Sequence, residues 1–138
     1  KDVNRVQLVL YFAIGKYLSQ HTRNRSWGEG ALVAISEQLR KELPGLRGFS
    51  ETQMRDMRHF YEAWEILDIN STVATVKLLY ADNEIDIFHA MQVSNVAEFP
   101  VEDFFKVPFT HHSIIIGGTK DVQERYYYIH RIAEEHLM

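Results

Sequence analysis

The sequence predicts a mainly helical domain built around a helix-turn-helix core, with room for a small β-hairpin wing. Two observations lead to this. Three segments open with the capping-box pattern, a Ser or Asp followed three residues later by Glu or Gln, and each runs into apolar residues at helical spacing. Two of these segments are joined by a short Pro-Gly-rich corner, 44–49.

The first helix is expected over residues 2–21. Val3, Val6, Leu10, Ala13 and Tyr17 mark its apolar stripe, which Val9, Ile14 and Leu18 widen. Gly15 costs such a helix roughly 1 kcal/mol relative to Ala, so its presence points to a close helix contact. His21 to Arg25 (HTRNR) reads as a polar, partly basic loop, suited to phosphate contact or simply solvated. Trp27, beside Gly28 and Gly30, is expected to plug the junction of the first and second helices.

The second helix opens at the Ser26/Glu29 box and places Leu32, Ile35, Leu39 and Leu43 on one side. Pro44 and Gly45 end it, because proline cannot continue the hydrogen-bond ladder and glycine tolerates the left-handed turn. The third helix opens at Ser50, with Gln53 completing the box and Phe49 placed to staple against Met54. Met54, Met57, Tyr61, Trp64 and Leu67 form its buried side. Arg55, Arg58, His59, Glu62 and Glu65 fall largely outside that stripe.

Beyond Trp64 the pattern weakens. Residues 68–72 read as a loop. Val73 to Tyr80, the turn candidate 81–84 and Ile85 to Phe88 predict either a β-hairpin or a long ordered arm. A short helix is expected over Pro100–Phe105. His111 and His112 are placed on an extended segment, followed by the apolar triplet Ile114-Ile115-Ile116, expected to be buried. The last helix starts at Asp121, boxed with Glu124, and carries Val122, Tyr126, Ile129, Ala133 and Leu137 on one side. There is no internal repeat.

At 138 residues and 46% hydrophobic content, the chain is expected to be one globular domain, 1–138, with a core of its own. It begins without Met and stops inside a helical pattern, which suggests a piece of a longer protein. It has no Cys, which removes disulfides, thiolate metal sites and thiol nucleophiles, and fits a reducing cytoplasm. No apolar run approaches the length of a membrane span, and no segment resembles a signal peptide. The net charge is −4. Residues 1–58 hold 10 Lys/Arg against 6 Asp/Glu, and residues 59–138 hold 5 against 13. The basic first half is compatible with a phosphate-facing surface, or with ordinary scatter.

The chemistry legible here is binding rather than catalysis. Adjacent histidines on an extended segment point to opposite sides and do not chelate one ion together, so no metal site is predicted and a structural role for one imidazole is preferred. Ser113 lacks a nucleophile elbow, and Gly117-Gly118-Thr119-Lys120 lacks the upstream glycine of a phosphate loop. No catalytic residue and no cofactor is assigned. Arg55 and Arg58, three apart, share one helix face and suit a recognition helix in a major groove. Arg47 in the turn and Arg40 and Lys41 on the preceding helix suit backbone phosphates. The competing reading pairs Arg55 with Glu51 or Glu62, and Arg58 with Glu62.

The run WGEGALVAISEQLRKELPGLRGFSETQMRDMRHFYEAW resembles the N-terminal domain of YhcG-type proteins, a domain of unknown function. The later run VPFTHHSIIIGGTKDVQERYYYIHRIAEEHL resembles the second block of the same family. Residues 68–98 match neither block. The resemblance implies a helix-turn-helix-like DNA-binding or interaction module, followed in full-length relatives by a PD-(D/E)XK nuclease-like domain that would hold any metal-dependent cleavage chemistry. Matching positions without an automatic structural explanation are Arg58, His111, His112 and Arg125.

The leading expectation is therefore a non-catalytic DNA-binding or targeting module of a nuclease-like protein. Its partners would be DNA and the C-terminal nuclease-like domain, with no membrane. The alternative is a protein-interaction or dimerisation module, forming a homo-oligomer through the aromatic residues Tyr126-Tyr127-Tyr128 and Phe104-Phe105. A hydrolase in its own right is the least supported reading.

Overall fold

The computed structural model describes residues 3–22, 29–42, 49–68, 96 and 98–135. Six α-helices occur among them: α1 (Val3–Thr22), α2 (Glu29–Glu42), α3 (Glu51–Ala63), α4 (Val101–Lys106), α5 (Phe109–Gly118) and α6 (Val122–Glu135). A 3₁₀ turn over Glu65–Leu67 follows α3. The mainly helical class is borne out, and no strand occurs among the described residues. The hairpin or arm expected over 73–88 lies outside them. So do Ser26, Trp27 and the 44–48 corner.

The centre of the fold is α3 packed along α1. Ser50 caps α3 as its sequence demands: its side chain accepts from the Gln53 N–H at 3.1 Å, and Gln53 Oε1 accepts from the Ser50 N–H at 3.0 Å. Met54, Met57, Phe60 and Tyr61 are all buried on the helix. The α-helix itself ends at Ala63, earlier than an unbroken stripe to Leu67 implies. Trp64 caps it, its N–H shared between the carbonyls of Phe60 and Tyr61, and the 3₁₀ turn carries Leu67 into the core. Tightening the last turn keeps Trp64 and Leu67 inside while satisfying orphan carbonyls.

Two apolar clusters flank the α1–α3 pair. In one, Leu39 of α2, Met54 and Met57 of α3, and Leu10, Ala13, Ile14 and Leu18 of α1 pack together, with Ile35 and Phe49 at the edge. This seats α2 on the pair and places Phe49 beside Met54, as the staple requires. The other joins Phe12, Phe60 and Trp64 to Phe104, Val107, Ile115, Ile129 and Ala133, so α4, α5 and α6 close the opposite side. The Trp64 and Tyr126 rings stack at 6.1 Å.

Three expectations are corrected. His111 and His112 lie on α5, not on an extended segment. Pro108, extended at ψ 152°, forms the entry to this helix, and burial of His112 and Ile115 outweighs the modest helix cost of β-branched residues. The isoleucine triplet is not uniformly buried, since successive helical residues point about 100° apart. Ile115 is inside and Ile114 is 67% exposed. Phe104 and Phe105, which the interaction reading placed on an exposed self-association surface, are core residues at 0% and 6%. Of the three tyrosines, Tyr127 and Tyr128 are exposed and Tyr126 is half-buried.

Candidate nucleic-acid interface

With their apolar sides against α1, α2 and α3 present their polar sides outward. Arg40 and Lys41 are exposed in the last turn of α2, where cations also complement the helix dipole. Arg55 is exposed near the start of α3 and Arg58 is partly exposed one turn on. Arg47 lies outside the described residues. Arg40 and Glu51 line a common cleft of about 300 Å³ between α2 and α3.

Both α3 arginines have carboxylate partners. Arg55 meets Glu51 at 2.6 Å and Arg58 meets Glu62 at 3.3 Å, each at i,i+4 spacing. The same Glu62 oxygen, Oε2, also accepts from the Ser19 hydroxyl at 3.1 Å. Glu51 and Glu62 thus share the outer side of α3 with two arginines, which keeps this surface from being strongly basic. The Arg55 and Arg58 pairings weighed from the sequence are therefore present. Exposed pairs of this spacing contribute only about 0.3–0.5 kcal/mol, so a phosphate can displace them.

The other positions singled out from the sequence do not join this face. His112 is 1% exposed, and its Nε2–H donates to the Phe104 carbonyl at 2.9 Å. That bond satisfies a carbonyl near the end of α4 and leaves Nδ1, buried, without a partner. Burial pushes its pKa down to about 4, so the ring is neutral near pH 7. His112 thereby ties α5 to the backbone of α4. His111 is partly exposed on the same helix. Arg125 locks the corner between α5 and α6: its Nε donates to Thr119 Oγ1 at 3.1 Å and its Nη2 to the Thr119 carbonyl at 3.2 Å. Among the described residues, no group of three His, Asp or Glu side chains is placed to hold a metal ion, and no helix is long and apolar enough to cross a membrane.

Sequence reading missed three features. Asn4 donates through one Nδ2 to the carbonyls of Phe105 and Val107, at 2.8 and 3.0 Å, tying α1 to the α4–α5 corner. Lys16, buried, meets Asp68 at 3.0 Å, and the Tyr61 hydroxyl donates to the same carboxylate at 2.8 Å. Only Lys16 carried a local signal, a charge interrupting an apolar stripe. The third is a polar cleft of about 530 Å³ bordered by α1, α3 and α5. Its lining residues are far apart in the chain, so no local pattern announces it.

These features define a mainly helical domain with an outward-facing, mixed-charge α2–α3 surface. The chain belongs to the DUF1016 N-terminal domain family, whose profile matches residues 1–138. That agrees with the resemblance to the YhcG-type N-terminal domain. No curated protein and no solved structure matches it.

Proposed function

We propose that this domain is a DNA-contacting, targeting module, non-catalytic by itself, that serves a nuclease-like domain elsewhere in a longer protein. The observation that carries the reading is the exposure of Arg40 and Lys41 at the end of α2 and of Arg55 on α3, with Arg40 lining one cleft together with Glu51, the partner of Arg55. Arg55 and Arg58 contact the groove or its phosphates, and Arg40 and Lys41 hold the backbone. Arg47, in the connection between the two helices, would add to them. Association is electrostatic, so it weakens with salt.

The test is duplex-DNA binding by fluorescence anisotropy across a salt series, with the Arg55→Ala/Arg58→Ala double variant alongside. The reading expects log K to fall with log salt by about 0.9 per phosphate neutralised, with affinity lost in the double variant. Absence of binding at low salt by the folded domain would sink it.

A second reading, self-association, is favoured by one specific observation. Ile114 and Tyr128 are exposed and line an apolar cleft of about 280 Å³ between α5 and α6. It expects a concentration-dependent mass by sedimentation, abolished by Ile114→Asp, and no dependence on DNA.

A further inference from the structure

The polar cleft on the other side of α3 has a chemistry of its own. Asp56 is its one charged lining residue, and among the described residues that carboxylate makes no hydrogen bond or ion pair. Around it lie groups with donors to offer. Gln53 spends its Oε1 on the Ser50 cap, which leaves its Nε2 for another partner. Ser113 brings a buried hydroxyl without a partner, and Thr110 brings a second hydroxyl. α5 begins at this cleft with no side-chain cap, so its first-turn amides lack intrahelical acceptors. Tyr11 and Phe109, edge-to-face at 4.8 Å, supply aromatic surface to the same cleft.

A carboxylate only accepts hydrogen bonds. Its best complement is a planar group with two adjacent N–H donors, followed by an acceptor that can meet the neighbouring donors. Among nucleobases only guanine presents this edge: N1–H and the N2 amino group toward the carboxylate, with O6 beside them. Adenine and cytosine set a bare ring nitrogen next to their amino group, which repels a carboxylate. Thymine flanks its one N–H with two carbonyls. In a duplex this edge is already paired, so the base must be unpaired or extruded, and such bases are read by edge hydrogen bonds and aromatic contact. A cleft of about 530 Å³ is within the range of small-molecule sites.

We propose that the cleft lined by Asp56, Gln53, Thr110, Ser113, Tyr11 and Phe109 binds an unpaired guanine base. The inference rests on the nucleic-acid reading of this domain and adds a base-reading site to its phosphate-facing arginines. Arg55 and Asp56 are successive residues of α3, about 100° apart, so one helix offers phosphate and base contacts on adjacent faces.

The experiment is titration of the ¹⁵N-labelled domain with guanosine, inosine, adenosine and cytidine 5′-monophosphates, followed by amide chemical shifts. Guanosine monophosphate is expected to move the amides of Asp56, Thr110 and Ser113. Asp56→Asn should weaken it about ten- to hundredfold, the loss of one bidentate base contact. Inosine monophosphate, which lacks only the N2 amino group, should bind several-fold more weakly to the unaltered protein, a comparison that needs no variant to fold. Equal shifts with every base, no shifts up to about 10 mM nucleotide, or an Asp56→Asn variant that binds as before would each overturn the proposal. Guanine binding without salt-dependent duplex binding would remove the duplex reading alone. Duplex binding without guanine selectivity would remove this site alone.

Discussion

Gly15 of α1 faces the Met57 carbonyl of α3 with no room for a side chain between them. A Cβ built on Gly15 collides with that carbonyl oxygen, and comes within 2.8 Å of its carbon and 2.9 Å of the Tyr61 Cβ. The obstacle is backbone, so no rotamer change relieves it. Gly15→Ala would gain about 1 kcal/mol of helix propensity but must push α1 off α3, an overpacking cost of about 1–3 kcal/mol or more. Net destabilisation in urea unfolding is the expected outcome, and a more stable variant would contradict the contact.

His112 sets a pH dependence with a definite sign. Its folded pKa of about 4 lies below the ordinary 6.5. Above pH 6.5 both states are neutral and the residue has no effect on the slope. As pH falls from 6.5 to 4 the unfolded chain takes up a proton that the folded one refuses, and stability drops by about 1.4 kcal/mol per pH unit at most. Unfolding free energies at pH 7 and 4.5 should therefore differ less in His112→Gln than in the native sequence. An unchanged difference would assign the acid sensitivity to the carboxylates instead.

Two ion pairs of similar length should differ in worth. Lys16 and Asp68 meet at 3.0 Å with side chains only 9% and 15% exposed, whereas Arg55 and Glu51 are each 51% exposed. Lys16→Ala leaves the Asp68 carboxylate in a poorly solvated place, and a loss of about 3 kcal/mol is expected. Arg55→Ala should cost under about 1 kcal/mol. Thermal melts of the two single variants decide this, and equal losses would argue against burial as the cause.

The glutamates on α3 give the DNA reading a prediction in the opposite direction from the arginine variants. Glu51 and Glu62 hold Arg55 and Arg58 at home. Glu51→Gln with Glu62→Gln should raise duplex affinity and steepen its salt dependence, because phosphate no longer competes with an internal carboxylate. Unchanged affinity in a protein that does bind DNA would place the contact surface elsewhere.

Asn4 offers a test of how α4 is positioned. Its side chain donates to the carbonyls of both Phe105 and Val107. Asn4→Ala should cost about 1–3 kcal/mol, the penalty for buried polar groups left unsatisfied. Amide hydrogen exchange should quicken in α4 before it does in α3.

Much of the architecture was legible in the chain because its causes are local. Ser50, Gln53 and the Met54–Met57–Tyr61 spacing specify α3 through contacts within four residues. Gly15 signalled a close approach by breaking a helical run. The segment around His111 and His112 was misread because its three consecutive isoleucines erase helical periodicity, and Phe104 and Phe105 because a six-residue helix is too short to show one.

The sequence by itself determined the class of fold, the caps and buried side of α3, the arginines that α2 and α3 carry and the family to which the chain belongs. Each follows from interactions between residues close in the chain or from a pattern of identities. Tertiary structure alone decided that His112 bonds the Phe104 carbonyl, that Lys16 and Tyr61 share Asp68, and that Asp56 faces Thr110 and Ser113 across a cleft. The first depends on how α5 folds back on α4, and the others on how α1, α3 and α5 pack, which brings together side chains about fifty residues apart, a distance over which no sequence period extends.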